Sequence, residues 1–149
     1  MIELMQPFAH PYENANMKSL DTILTAYGAA WHERDPQKRM AYLETCWAED
    51  GRYVDPNGDV AGRDGLAAYM DAFHEQAKGA KIIVTSQPNP HHEVAHFTWA
   101  MVAVGGIPLL KGHDFATLDQ DGRIVQLVGF LGDPEPLDKR KGLLNWFKH

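Results

Sequence analysis

The sequence predicts an α+β domain in which a curved antiparallel sheet wraps around three N-terminal helices and encloses a pocket. Two observations support this fold class. Three segments in the first half of the chain carry apolar residues at helical spacing, each after a helix start signal. The second half holds consecutive segments joined by short Gly, Asn and Asp turns, which is typical of an antiparallel meander. A strongly bent sheet would bury the apolar stripes of the helices and leave a cavity at its open end.

Each predicted helix has a recognisable beginning. Ser19 is the expected N-cap of the first helix, and Asp35 precedes Pro36, which favours the first position of a second helix. Asp64 is the expected N-cap of a third helix, and Gly79 marks its end. The residues predicted to face the core are Leu20, Ile23, Leu24, Tyr27 and Trp31 in the first helix, Met40, Leu43 and Trp47 in the second, and Leu66, Met70, Phe73 and Ala77 in the third.

The remaining elements are predicted to be strands, and the ends of the chain are predicted to lie outside the domain. Residues 1–18 are interpreted as an N-terminal arm because prolines interrupt any helix there, and residues 134–149 as a C-terminal tail. A single domain is therefore predicted between the arm and the tail, over residues 19–133. The predicted strands cover residues 51–55, 81–87, 92–104, 109–118 and 123–131.

The composition excludes several function classes. The chain has 149 residues and a formal net charge of -6, which disfavours nucleic acid because that affinity depends on Lys and Arg against phosphate. No apolar run approaches the roughly 20 residues that a bilayer-spanning helix needs. Cys46 is the only cysteine, so no internal disulfide can form, and the expected compartment is the cytoplasm. The histidines lack metal-ligand spacing, so neither a metal nor another cofactor is expected.

Asp114 lies in a segment that otherwise alternates like a half-buried strand. A carboxylate that faces a core is costly unless it is hydrogen-bonded or neutral, so Asp114 could be an acid aimed into a cavity. There its pKa should rise, which would let it donate a proton or a hydrogen bond near neutral pH. A surface acid, or an edge acid bonded to a neighbour, is the alternative. The expected inner face is Leu110, Gly112, Asp114, Ala116 and Leu118, and the outer face is Lys111, His113, Phe115 and Thr117.

Asp55 and Tyr27 are the other candidate catalytic residues. Asp55 ends a short strand directly before Pro56, so it is either a turn former or a general base beside Tyr53 at the cavity mouth. Tyr27 lies on the apolar stripe of the first helix, where a packed core tyrosine is the alternative to a hydrogen-bond donor in the site. Core packing is likewise the alternative role of the predicted pocket residues, which are Trp31, Tyr53, Phe73, Trp99 and Leu127.

The order of elements and three sequence phrases resemble the nuclear-transport-factor-2-like (NTF2-like) superfamily. The phrases are residues 46–56, CWAEDGRYVDP, residues 62–64, GRD, and the final hairpin over residues 112–130. The resemblance covers roughly residues 19–133 and is closest to the SnoaL-like group. It implies a cone-shaped α+β barrel with a deep pocket, and a homodimer formed through the outer face of the sheet.

Ketosteroid isomerases of that superfamily suggest roles for the three candidate catalytic residues. They use a Tyr on the first helix, a base Asp before Pro on the first strand and a protonated Asp on a late strand. Tyr27, Asp55 and Asp114 occupy similar positions in this sequence. The resemblance therefore implies a cofactor-independent isomerase or cyclase acting on a small apolar carbonyl compound, polyketide-like or steroid-like. A dimer that only binds a small molecule, or one with a filled cavity, stays open, because one fold hosts many functions.

Overall fold

The computed structural model describes residues 19–137, so the predicted arm, residues 1–18, and residues 138–149 of the predicted tail lie outside the described residues. The described part confirms the α+β class, with three helices and one curved sheet. The helices are α1 (Leu20–His32), α2 (Pro36–Cys46) and α3 (Gly62–Gln76). The strands are β1 (Trp47–Asp55), β2 (Gly58–Ala61), β3 (Lys81–Val84), β4 (Asn89–His91), β5 (Val94–Val102), β6 (Pro108–Leu118) and β7 (Ile124–Leu131).

The predicted starts of the first two helices are confirmed, and that of the third is wrong. The Ser19 hydroxyl accepts a hydrogen bond from the Thr22 backbone N–H at 3.2 Å, which caps α1. The Asp35 carboxylate caps α2 ahead of Pro36. The N-cap of α3 is Ala61, without a side-chain cap, and Asp64 lies inside the first turn. There the negative charge of Asp64 stabilises the positive end of the helix dipole, which explains its position near the start.

The sheet is mixed rather than wholly antiparallel. The strand order is β2-β1-β7-β6-β5-β3, and β4 pairs with β5 outside this path. The predicted antiparallel meander is confirmed for β5, β6 and β7. The prediction is corrected at the β1–β7 pair, which is parallel. Parallel neighbours need a long crossover connection, and here α3 and the strands β2 to β6 all lie between them in the chain.

The boundary between α2 and β1 also differs from the prediction. Trp47, expected on the buried face of the second helix, is the first residue of β1 and is fully buried. The helix ends at Cys46, so the chain passes from helix to strand without a loop. The short strands β2 and β4 were not predicted, because only four and three residues form them.

The core lies between the three helices and the concave face of the sheet, and one buried cation links the helices. Arg39 of α2 is 1% exposed. Its guanidinium donates to the Ala30 carbonyl oxygen of α1 at 3.1 Å and to the Asp71 carboxylate of α3. Because these bonds tie all three helices together, they fix the helical wall that faces the sheet. No helix among residues 19–137 is long and apolar enough to cross a membrane.

Candidate functional site

A cavity of about 490 Å³ opens between α1, α3 and the inner face of the sheet. Of the eight residues predicted for the site, all but Leu127 line this cavity. Leu127 is fully buried in the core. It lies on the same face of β7 as Gly129. Leu127 is two residues further from the open end of the cavity, in a part of the sheet that the helices cover. The seven predicted residues that the cavity brings together are Tyr27, Trp31, Tyr53, Asp55, Phe73, Trp99 and Asp114.

Asp114 points into the cavity, as the strand alternation predicts. It is 6% exposed, whereas Phe115 beside it on the outer face is 46% exposed. The Trp99 indole N–H donates a hydrogen bond to Asp114 Oδ1 at 3.0 Å. Burial raises the pKa of Asp114 to about 7, with a further upward contribution from Asp55, against the opposing effects of the Trp99 hydrogen bond and of His113. A large fraction of the carboxyl is therefore protonated at neutral pH, so it can act as a donor.

A glycine lets Trp99 reach this carboxyl. Trp99 of β5 pairs with Gly112 of β6, two residues before Asp114. A Cβ on Gly112 would lie 2.3 Å from Trp99 Cζ2, so the indole lies across the strand in the space that a side chain would fill. Gly112 is thus required for the Trp99 hydrogen bond to form in this geometry.

Asp55 combines the two roles that the sequence left open. Its Oδ1 accepts a hydrogen bond from the Asn57 backbone N–H at 2.8 Å, which is the contact of a turn former. Its Oδ2 accepts from the Tyr53 hydroxyl at 2.8 Å inside the cavity. The Tyr69 hydroxyl lies 2.6 Å from Oδ1 and 2.7 Å from Oδ2. Asp55 is therefore a turn residue whose carboxylate also faces the cavity.

Tyr69 is a site residue that the sequence reasoning missed. It lies on α3 one turn before Phe73, and this i, i+4 spacing to a predicted wall residue was the available signal. Its ring packs against β2, where a Cβ on Gly58 would lie 2.4 Å from Tyr69 Cε2. This close approach to Gly58 positions the hydroxyl over Asp55.

The two carboxyl groups flank a single glycine on the strand between them. Asp114 pairs with Gly129 of β7, and Val54 pairs with Val128, so Asp55 lies beside Gly129 on the other side. Because neighbouring strands are about 4.8 Å apart, the two aspartate backbones are separated by roughly 10 Å. The cavity thus presents two acids to one small volume.

Tyr27 packs its ring in the core while bordering the cavity. It is 4% exposed, and its ring stacks on Trp47 at 6.1 Å and meets Phe97 edge-on at 6.4 Å. Burial and then the charge of Asp114 raise the pKa of Tyr27 well above its usual value. Burial is also the main cause of the raised pKa of Tyr53 and of Tyr69. All three phenols therefore stay protonated and can donate hydrogen bonds at neutral pH.

The arrangement supplies acid–base groups inside an apolar enclosure. Asp114 can donate near neutral pH, Asp55 is an acceptor to which Tyr53 and Tyr69 already donate, and Tyr27 is a third phenol that can donate. Such groups can hold a carbonyl oxygen and move a proton next to it. Within residues 19–137, no group of three or more His, Cys, Asp or Glu side chains could hold a metal ion.

The family model of the SnoaL-like domain matches residues 24–127. A solved protein from Agrobacterium tumefaciens, described as a candidate isomerase of the SnoaL-like family, is 34% identical with a TM-score of 0.71, over 75% of this chain and 96% of that chain. A candidate SnoaL-like polyketide cyclase from Jannaschia is 14% identical with a TM-score of 0.61, over 80% of this chain and 90% of that chain.

A third solved structure is a protein from Catenulispora acidiphila with a ketosteroid isomerase-like fold, in complex with trimethylamine. It is 17% identical with a TM-score of 0.57, over 72% of this chain and 82% of that chain. The Jannaschia and Catenulispora proteins show the fold alone, because their sequences are too different to show more. No curated protein matches the chain. By the family match and the Agrobacterium relative, the chain belongs to the SnoaL-like family, and its fold is NTF2-like.

Proposed function

We propose that this protein is a cofactor-independent acid–base enzyme, an isomerase or cyclase, that acts on a small apolar carbonyl compound. Asp55 takes a proton from the carbon next to the carbonyl. Asp114 and Tyr27 donate hydrogen bonds to the oxygen of the resulting enolate. Stabilising that developing negative charge is often the largest contribution to catalysis in such reactions.

The observation that carries this proposal is the buried, cavity-facing Asp114 with a pKa of about 7. A carboxylic acid that remains protonated near neutral pH can donate a strong hydrogen bond to an enolate. The second acid lies across Gly129, so a bound carbonyl compound could contact both carboxyl groups at once. The largely apolar walls lower the local dielectric constant, which strengthens each of these interactions.

Asp55 needs a released lone pair before it can accept a proton. Both of its oxygens already accept hydrogen bonds from Tyr53, Tyr69 and the Asn57 N–H. Tyr69 is the donor that spans both oxygens, and it is only part-buried on α3. In the proposed reaction the substrate displaces the Tyr69 hydroxyl, and Tyr53 and Asn57 keep the carboxylate oriented.

The test is hydrogen–deuterium exchange at the carbon next to the carbonyl, followed by NMR. The probes are cyclic ketones of increasing size, from cyclohexanone to 5-androstene-3,17-dione. The wild-type protein is expected to accelerate exchange in at least one ketone, and Asp55→Asn to lower that rate by about 100-fold or more. Asp121→Asn, which changes an exposed acid in the β6–β7 turn, is the matched control and should keep the full rate.

Two outcomes would reject the proposal. One is exchange at the background rate for every ketone in the wild-type protein. The other is an Asp55→Asn variant that folds and keeps the wild-type rate, because the base would then be a different group.

The second candidate function is a non-catalytic module that binds a small molecule. The hydrogen bonds that already occupy both oxygens of Asp55 favour it, because a carboxylate held by three donor groups serves well as a fixed structural acceptor. The Catenulispora neighbour, which holds trimethylamine, supports small-molecule binding by this fold. Calorimetric binding of a ketone without any exchange would favour this candidate over the enzyme.

In either case we propose a homodimer formed through the outer sheet face, in the cytoplasm. That face exposes Phe115 and Phe130, whose rings lie 5.9 Å apart, and His96 stacks on Phe115 at 4.5 Å. An exposed aromatic cluster on a sheet is typical of an interface. The single cysteine, Cys46, is buried in the core and fits a reducing compartment.

A further inference from the structure

We propose that the cavity selects a ligand that carries a compact tertiary or quaternary ammonium group, and that it excludes carboxylates and phosphates. Among residues 19–137, the side chains that line the cavity include two acids, Asp55 and Asp114, and no Lys, Arg or His. Once both carboxyl groups are ionised, a positive charge in this volume would meet two negative charges and no positive charge among the lining residues. This binding preference does not rest on the proposed reaction, because it concerns the ionised Asp114, whereas the reaction uses the protonated carboxyl group as a donor.

The aromatic walls favour the same charge. The faces of aromatic rings carry negative electrostatic potential, which attracts cations and is strongest for Trp. Trp31 lies at the centre of a continuous group of rings, with centroid distances of 6.0 Å to Tyr53, 6.2 Å to Tyr69 and 5.6 Å to Phe73. Trp99 adds a second indole on the sheet side of the cavity. An organic cation in this cavity would thus contact ring surfaces and lie close to two acids.

The occupied acceptors favour an ammonium group with few or no N–H groups. Both oxygens of Asp55 already accept hydrogen bonds from protein donors, and Asp114 Oδ1 accepts one from Trp99. A primary ammonium has three donors that need acceptors once water is removed. A quaternary ammonium has no donor, so charge and ring contacts satisfy it without breaking the existing hydrogen bonds.

Two arginines of the helices α2 and α3 are engaged outside the cavity. Arg39 is bonded to Ala30 and Asp71, and Arg63 donates to the Trp47 carbonyl oxygen at 2.9 Å. A carboxylate or phosphate ligand would have to leave water for a cavity whose described lining offers no cation. That transfer is strongly unfavourable for an unpaired charge.

The experiment compares three probes of nearly equal shape by calorimetric titration of the full chain. Choline is the cation, 3,3-dimethylbutan-1-ol is its neutral isostere, and 3,3-dimethylbutanoate is the anion. The titrations are made at pH 8, above the pKa of about 7 for Asp114, so that this carboxyl is ionised. Choline is expected to bind about tenfold or more tightly than the alcohol, and the anion is expected not to bind.

Asparagine variants then test which groups cause the preference. Asp114→Asn and Asp55→Asn should each weaken choline binding by about tenfold and change alcohol binding by less than about twofold. Asp121→Asn should change neither. The proposal is overturned if choline and the alcohol bind equally, if none of the probes binds, if the anion binds, or if both cavity variants fold and keep the full choline preference.

The wild-type comparison needs no variant, so the inference stays testable even if an asparagine variant does not fold. Ketone exchange measured on the same preparations separates this inference from the proposed reaction. Exchange without a choline preference would overturn only the cation selectivity. A choline preference without exchange would overturn only the enzymatic proposal.

Discussion

The Asp114 carboxylate lies 3.0 Å from the point that a Cβ on Gly129 would occupy. The same point is 3.4 Å from Asp55 Cβ, so this one glycine supplies the space between the two acids. Any larger residue at position 129 would require Asp114 and Asp55 to shift from their present positions. The pair of acids therefore depends on a residue that has no chemistry of its own.

Gly129→Ala is expected to destabilise the fold by about 1–3 kcal/mol, because the added methyl group would lie 3.0 Å from Asp114 Oδ1 and 3.4 Å from Asp55 Cβ, so that both residues must shift. The titration midpoint of Asp114 should move upward, since the methyl group adds apolar surface and displaces the Trp99 hydrogen bond that lowers this pKa. Urea denaturation and carboxyl-carbon NMR measure the two effects.

Gly28→Ala is the control for that experiment. Gly28 also borders the cavity, on α1, but nothing lies within 4 Å of a Cβ at this position. The variant should gain about 0.5–1 kcal/mol from the better helix propensity of alanine. Equal effects of the two substitutions would contradict the role given to Gly129.

The raised pKa of Asp114 predicts how stability depends on pH. Its folded-state value is about 7, against an ordinary value of 3.8. The folded protein therefore keeps a proton that the unfolded chain releases, so this group lowers the free energy of unfolding as pH rises from about 4 to about 7. Asp114→Asn removes the titration, and its stability relative to wild type should improve across this window by up to about 4 kcal/mol.

Urea denaturation of both proteins at several pH values between about 4 and 8 measures this trend. For Asp121→Asn, at an exposed turn position, the free energy of unfolding should change with pH in the same way as that of the wild-type protein. A difference between Asp114→Asn and wild type that stays constant with pH would show that Asp114 titrates alike in the folded and unfolded states.

The Tyr69 hydroxyl and the Asp55 carboxylate should be energetically coupled. Tyr69→Phe, Asp55→Asn and the double variant form a cycle whose coupling energy is expected to be about 0.5–3 kcal/mol, as for side chains in one hydrogen-bond network. Tyr42→Phe on the outer surface of α2 replaces Tyr69→Phe in the control cycle and should show coupling near zero. A coupling energy near zero in the first cycle would mean that the hydrogen bond is not formed in solution.

The proposed dimer predicts a defined effect of charge on the outer face. Phe130 is 55% exposed next to Phe115, so Phe130→Asp places a carboxylate in the proposed interface and should yield monomers. Tyr42→Asp introduces the same charge on the helical side, where the dimer should persist. Analytical ultracentrifugation distinguishes these outcomes, and a monomeric wild-type protein at high concentration would contradict the interface.

Local patterns predicted most of the fold. The Ser19 and Asp35 caps and the alternation along β6 depend on neighbouring residues in the chain, and all are found in the structure. The parallel β1–β7 pair was not predicted, because Tyr53 and Leu127 meet only through a crossover that spans most of the domain. Local propensity carries no information about such a pairing.

The candidate site was predicted less completely for the same reason. The direction of Asp114 follows from strand alternation, but its bond to Trp99 depends on the register of β5 against β6. The roles of Gly58, Gly112 and Gly129 arise only when a ring or a carboxyl group from another element lies over them. The sequence therefore indicates which residues carry chemistry, whereas the residues that make space for them appear only in three dimensions.

The most direct test of the account is an NMR titration of the Asp114 carboxyl carbon, assigned by comparison with Asp114→Asn. A cavity acid held close to a second carboxyl group should titrate with a midpoint near the value of about 7 expected from its burial. A midpoint near the ordinary 3.8 would mean that Asp114 is fully ionised at neutral pH, and it could then not donate a hydrogen bond to an enolate.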